Sequence, residues 1–250
     1  SMKRIQILTL ILFICLLKVK AQYDAAFSHY FMAKTYYNPA TAGSTEDLKM
    51  LALFNQQWAG FPKAQRSFFI SADMPLKIGK TNQGIGLMVY TESIGLFQNT
   101  HAGAQYAYKH KLWEGELSGG LQVGIVNESF KADSIYIPQS PFHQQEDEAF
   151  PESTVNATGL DINIGLFYQH KDFYAGVGFT HITSPELQLE ETIYTYIGGM
   201  LNFMGGYNIK LNNPLFELKP SVFLLTDFSN YHFDVTARME YNKMFNGGIS

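Results

Sequence analysis

Three stretches of this sequence alternate strictly between two kinds of residue, and that period of two restricts the fold more than any other feature. Leu117, Gly119, Leu121, Val123 and Ile125 alternate with Glu116, Ser118, Gly120, Gln122 and Gly124. Leu160, Ile162, Ile164, Leu166 and Tyr168 alternate with Asp161, Asn163, Gly165, Phe167 and Gln169. Phe233, Val235, Ala237, Met239 and Tyr241 alternate with Asp234, Thr236, Arg238, Glu240 and Asn242. Successive side chains of a strand point to opposite faces, so each stretch predicts a strand with one apolar face and one polar face. Less regular runs fall at 48–58, 65–74, 83–92, 99–112, 172–182, 196–211 and 215–228. Together they predict about ten strands, each of about 9–14 residues. Turn signals separate them at Lys80-Thr81-Asn82, Trp113-Glu114-Gly115, Lys171-Asp172 and Asn212-Asn213-Pro214. Beyond residue 21 no window sustains a helical period or approaches the ~18 apolar residues of a membrane helix.

Two all-β architectures accept this pattern. A soluble sandwich uses short strands, about 5–6 residues, with the apolar face inward. A transmembrane barrel uses about 9–11 residues per strand, with the apolar face on lipid and a polar or glycine-rich lumen. Strand length favours an antiparallel transmembrane β-barrel over residues 48–250. Gln105, Lys109, Gln122, Asp161, Asn163, Arg238 and Glu240 then line the polar phase. Glycines along the strands (Gly84, Gly86, Gly119, Gly120, Gly124, Gly176, Gly178) would ease curvature and close packing in the lumen. Phe and Tyr are abundant, 20 and 15. Tyr90, Tyr108, Phe130, Tyr168, Phe173 and Tyr241, near strand ends, are expected to form interfacial girdles. With only 16% charged residues and a net charge of -4, intrinsic disorder and nucleic-acid binding are both disfavoured.

Residues 1–21 read as a signal peptide. Lys3 and Arg4 precede an apolar core from Ile5 to Leu17, and Val19-Lys20-Ala21 suits cleavage near Ala21-Gln22. The one cysteine, Cys15, lies inside this leader, which excludes a disulfide framework. Phe13-Ile14 ahead of it do not fit the small residues of a lipoprotein signal. The expected destination is the outer membrane, and residues 22–47 form an N-terminal segment ahead of the barrel.

No catalytic set survives inspection, and no cofactor is expected. The seven histidines have neither His-x-Glu nor His-x-x-x-His spacing. Gly84-x-Gly86 and Gly176-x-Gly178 precede no helix, so neither is a phosphate loop. Residues 133–157 interrupt the alternation with Pro138, Pro141 and Pro151, and read as a long loop. Within it Gln144, Glu146, Asp147 and Glu148 are a candidate specificity element. Its acidic oxygens could hold calcium, although a solvated acidic loop explains them equally.

Two short segments admit two readings each. Asn38, Pro39, Ala40 and Gly43 belong to a small-residue stretch bounded by turn formers. It is either a connector into the first strand or a docking or lumen-plugging element. Gln57, Trp58, Gly60 and Phe61 are either a girdle end and turn or a partner-binding hairpin tip, since exposed aromatics anchor interfaces.

These segments carry a resemblance. Phe27-Ser28-His29-Tyr30-Phe31, Tyr37-Asn38-Pro39-Ala40-Thr41-Ala42-Gly43-Ser44 and Asn55-Gln56-Gln57-Trp58-Ala59-Gly60-Phe61 resemble, in that order, the PorP/SprF family of Bacteroidota outer-membrane proteins. Ser67 to Leu76, Gly84-Ile85-Gly86-Leu87, Ala107 to Leu112 and Leu218-Lys219-Pro220-Ser221 are similar to it as well. The resemblance implies a non-enzymatic barrel of 12–14 strands that serves type IX secretion and gliding. Its implied partners are outer-membrane lipid, a secreted surface protein carried as type IX cargo, and periplasmic components of the secretion system. The chain departs from the family in having Asn55-Gln56 where a basic residue is usual. Asn246 to Ser250 resemble the opening of an eleventh strand, and even strand numbers in bacterial barrels imply further C-terminal strands. The alternative function is an outer-membrane porin for small solutes, and a third is a secreted soluble β-sandwich binder.

Overall fold

The structure, a computed structural model, describes Phe27 and residues 29–131, 154–189, 194–213, 215–242 and 244–250. The leader and the loop residues Gln144, Glu146, Asp147 and Glu148 lie outside the described residues. A one-turn helix, α1 (Lys34–Tyr37), and a 3-10 turn (Pro39–Thr41) precede the strands. Then follow β1 (Lys49–Gln56), β2 (Arg66–Ile78), β3 (Thr81–Ile94), β4 (Phe97–Leu112), β5 (Gly115–Phe130), β6 (Val155–Gln169) and β7 (Phe173–Thr180). A small hairpin, β8 (Glu186–Gln188) and β9 (Tyr194–Tyr196), separates these from β10 (Met200–Tyr207), β11 (Ile209–Lys210), β12 (Phe216–Thr226), β13 (Tyr231–Tyr241) and β14 (Phe245–Ile249).

One antiparallel sheet takes up twelve of these strands in the order β1-β2-β3-β4-β5-β6-β7-β10-β12-β13-β14, with β11 paired to β12. Each strand neighbours the next in sequence except across the β8–β9 excursion and between β10 and β11, which both pair with β12. Among the described residues β1 and β14 end the sheet, and no pairing joins them. The strands are longer and more numerous than alternation alone predicts. β4 and β5 have 16 residues each, about 50 Å at the usual rise per residue and more than a tilted membrane strand needs. The run 196–211 divides into β10 and β11, and the β8–β9 hairpin has no counterpart in the period-two reading. Of the expected loop at 133–157, residues 133–153 lie outside the described residues, whereas Val155 to Ala157 are strand and pair with Phe130 to Glu128.

The faces are inverted relative to a soluble protein. On β5, Gln122 is 1% exposed and its neighbour Val123 is 47% exposed. The same holds around the sheet. Asp73, Gln105, Asp161, Asn163 and Asn202 are buried, whereas Ile70, Leu87, Ile125, Leu160, Leu166, Phe203 and Val235 are exposed. A continuous apolar outer face is stable only against lipid, where it costs nothing to leave uncovered by protein.

Short turns at 79–80, 113–114 and 170–172 gather at one end of the wall; at the other, the long-loop end, lie the connection at 57–65, the two-residue turn at 95–96, the end of β5 with the start of β6, and the end of β7. At the short-turn end the aromatic residues make an outward chain. Trp113 meets Tyr168 at 6.3 Å between ring centroids, Tyr168 meets Phe173 at 5.8 Å, and Phe173 stacks on Tyr207 at 6.4 Å. Tyr108 and Tyr241 are exposed as girdle residues should be. Tyr90 and Phe130 are not girdle residues. Both fall on the inner parity of their strands and are buried, Tyr90 against Phe27 and Tyr36 and Phe130 beside Leu189.

Candidate functional site: a plugged lumen

The concave face of the sheet encloses the N-terminal segment. Tyr30, Ala33, Thr35, Tyr36 and Tyr37 are buried, and so is every residue from Asn38 to Gly43. The main apolar core lies between this segment and the wall. It joins Tyr30, Tyr36, Tyr37 and Ala40 to Phe69 of β2, Tyr90 of β3, Phe167 of β6, Met204 of β10 and Phe223 of β12. Tyr30 stacks on Phe223 at 4.8 Å, and Tyr36 meets Phe69 edge-on at 5.6 Å. One short segment therefore touches strands from opposite ends of the sheet order, which requires the sheet to curl around it.

Its seat is a row of small residues. Gly84, Ala107, Gly120, Gly165 and Gly178 are successive cross-strand partners on β3, β4, β5, β6 and β7. A Cβ placed on Gly84 would collide with the carbonyl of Ala42, one on Gly120 with the backbone of Ala40, and one on Gly165 with the Asn38 amide. At Gly178 it would lie 2.5 Å from the Tyr37 carbonyl oxygen. At Gly84, Gly120 and Gly178 no Cβ fits between plug backbone and wall, and at Gly165 none fits beside the Asn38 side chain. Gly119, one residue away on the lipid side, would meet nothing nearer than Leu166 at 3.8 Å.

Polar wall residues satisfy the plug's backbone groups, which water no longer reaches. Asn38 Nδ2 donates to the carbonyls of Leu166 (3.0 Å) and Val177 (3.2 Å), and its Oδ1 accepts from Ala40 N at 2.9 Å. Gln105 donates to the Thr35 carbonyl at 2.6 Å, and Asn202 to that of Tyr37 at 2.8 Å. Gly43, at φ +61, donates its N–H to Asp73 Oδ2 at 2.9 Å, and its carbonyl accepts from Lys109. Tyr30 donates its hydroxyl to Ser221 at 2.8 Å. The inner polar phase of the strands is thus a set of partners for one particular backbone. Lys34 lies with its ammonium 3.5 Å from the Tyr174 ring centroid. The residue as a whole is half-buried, but atoms crowd its charged end. Burial, then the charges of Lys49, Arg238 and Lys219, push its pKa down to about 7.

Gln57, Trp58, Gly60 and Phe61 lie far from the plug, on the β1–β2 connection at the long-loop end. Trp58 and Phe61 are 73% and 67% exposed, with rings 6.3 Å apart, and Gly60 takes φ +99 to close the turn. The sequence pairs Asn38-Pro39-Ala40 with Gln57-Trp58 by proximity in the chain, and the fold separates them into an interior seat and an exposed tip. At the same end the β7–β10 connection folds inward, with Leu187 and Ile197 buried against Val126.

A cluster that the sequence reading missed gathers beneath that connection: His101 on β4, Asp161 on β6 and His181 just after β7. They stand far apart in the chain, so no local spacing marks them. The available signal was parity, since Asp161 falls on the polar phase of β6.

A family model described as type IX secretion system membrane protein PorP/SprF matches residues 19–250. No curated protein and no solved structure matches the chain.

Proposed function

The chain belongs to the PorP/SprF family of type IX secretion system membrane proteins, and from that premise we propose that it is a non-enzymatic outer-membrane β-barrel that supports type IX secretion by retaining or anchoring a secreted surface protein. One observation carries the reading against a solute porin: the lumen is filled by the chain's own N-terminal segment, hydrogen-bonded to the wall from β2 to β12. A porin works through an open aqueous channel, and a segment packed so closely on the wall that its seat glycines admit no Cβ does not provide one.

In this proposal the leader is removed near Ala21-Gln22, and Asn38, Pro39, Ala40 and Gly43 serve as the seated plug. Bacterial outer-membrane barrels carry their longer loops on the outside, so the long-loop end would face outward. Trp58 and Phe61 would then offer aromatic anchors to the cargo, and Gln144, Glu146, Asp147 and Glu148 would serve as a specificity element. The short-turn end would meet periplasmic components of the secretion system.

The test is deletion of the gene followed by a survey of the surface proteome. The expected outcome is loss of one adhesin-like surface protein from an otherwise intact set; an unchanged set would refute the anchoring role. Planar-bilayer recording on the purified full chain should give no sustained current, and a large open-channel current would favour the porin.

A further inference from the structure

We propose that His101, Asp161 and His181 form a binding site in the lumen for a single divalent transition-metal ion of the zinc class. All three side chains are buried, and one potential ligand atom from each lies within 4.8 Å of the other two. His181 Nδ1 and Asp161 Oδ1 are 2.9 Å apart, and the His101 and His181 rings stand 5.3 Å apart at 71°. In a tetrahedral zinc site metal–ligand bonds of about 2.0–2.2 Å put ligand atoms roughly 3.3 Å from one another. Closing from the present spacing needs small side-chain rotations and no movement of strands.

The backbone holds the set in place. His181 adopts φ +54, a left-handed conformation uncommon for a residue with a Cβ. Its N–H is donated to Asn163 Oδ1 at 2.7 Å, and its carbonyl accepts from Ser184 N at 2.9 Å and Ser184 Oγ at 3.1 Å. Those bonds fix the turn that aims the imidazole at Asp161. A hydrogen-bonded structural pair would need only one imidazole, and here a second one brings a ring nitrogen within 4.8 Å of both the carboxylate oxygen and the first imidazole. Two imidazoles and one carboxylate match zinc and its neighbours, whereas calcium and magnesium take oxygen sets. Three protein ligands leave a fourth position for water or for a group from a partner.

The test uses the full chain purified in detergent, stripped by a chelator and titrated with Zn2+ by calorimetry, with Co2+ absorption as a second probe. Wild-type protein should bind one ion per chain, with a tetrahedral cobalt spectrum. Asp161→Asn, His101→Ala and His181→Ala should each weaken binding by at least about tenfold, since even an outer-shell partner is worth about 10–100-fold. His232→Ala, which alters the His232–Asp234 pair on β13, should leave it unchanged. Absence of saturable binding by folded wild-type protein would overturn the site whatever the variants do, as would binding that all three substitutions leave intact.

Discussion

Asn38→Ala tests whether the plug is held by the wall or merely lies in it. The side chain makes three hydrogen bonds, to the carbonyls of Leu166 and Val177 and from Ala40 N, and the residue is fully buried. At a net contribution of about 1 kcal/mol each, their loss costs about 3 kcal/mol. At 1.4 kcal/mol per factor of ten, the unseated population should rise by roughly 150-fold. The sequence contains one cysteine, Cys15, so a Cys15→Ser, Thr35→Cys chain carries a single thiol within α1. Thr35 is buried, and Thr→Cys nearly conserves volume. The labelling rate by a water-soluble maleimide then follows the unseated fraction, provided reclosing is faster than labelling. Addition of Asn38→Ala should raise that rate by about two orders of magnitude while heat-modifiable gel mobility reports an intact barrel. A change of less than about threefold would mean that these bonds form equally with water when the plug is out, and the seat would lose its energetic basis.

Three further outcomes follow from the same geometry. Gly120→Ala should lower stability by about 1–3 kcal/mol through overpacking against Ala40, whereas Gly119→Ala should stay within about 0.5 kcal/mol; urea titrations in lipid vesicles that failed to separate these adjacent glycines would refute the seat. Val123→Arg should cost about 2–4 kcal/mol in the same assay if that strand face meets the bilayer core, and a neutral result would refute the lipid-facing assignment. Lys34 has a seated pKa near 7 against 10.5 when free. The unseated state therefore binds more protons between those values, and seating should firm as pH rises from 7 toward 10; proteolysis of the plug should slow accordingly, and Lys34→Met should abolish the slope.

The strands were legible because alternation is a local property of the backbone. Alternation assigns residues to two faces but does not say which face is inside. Gln122 and Val123 read the same way in a sandwich and in a barrel, and only strand length separated the two. Tyr90 and Phe130 show the limit of reading aromatics by position along a strand: parity, which depends on register with neighbours, sent both inward. The plug was legible only as a choice between connector and lumen element. Its determinants are bonds from Asn38 to residues 128 and 139 positions away, and glycines on four strands, β3, β5, β6 and β7. Each of those glycines alone resembles any strand glycine. The His101–Asp161–His181 cluster was invisible for the same reason, because its members meet only after β4, β6 and β7 are aligned.

The row of small residues beneath the plug also sets an order of events. The N-terminal segment is made before the strands, yet its contacts belong to strands that arrive much later. Asn202 and Ser221 bond Tyr37 and Tyr30 across 165 and 191 residues. Contacts of such separation consolidate late, after the loop-closure entropy between them has been met. The segment therefore waits, unfolded and rich in exposed tyrosine, until a wall exists to receive it. It is during that interval, before the barrel has an interior, that the chain is most open to capture by another protein.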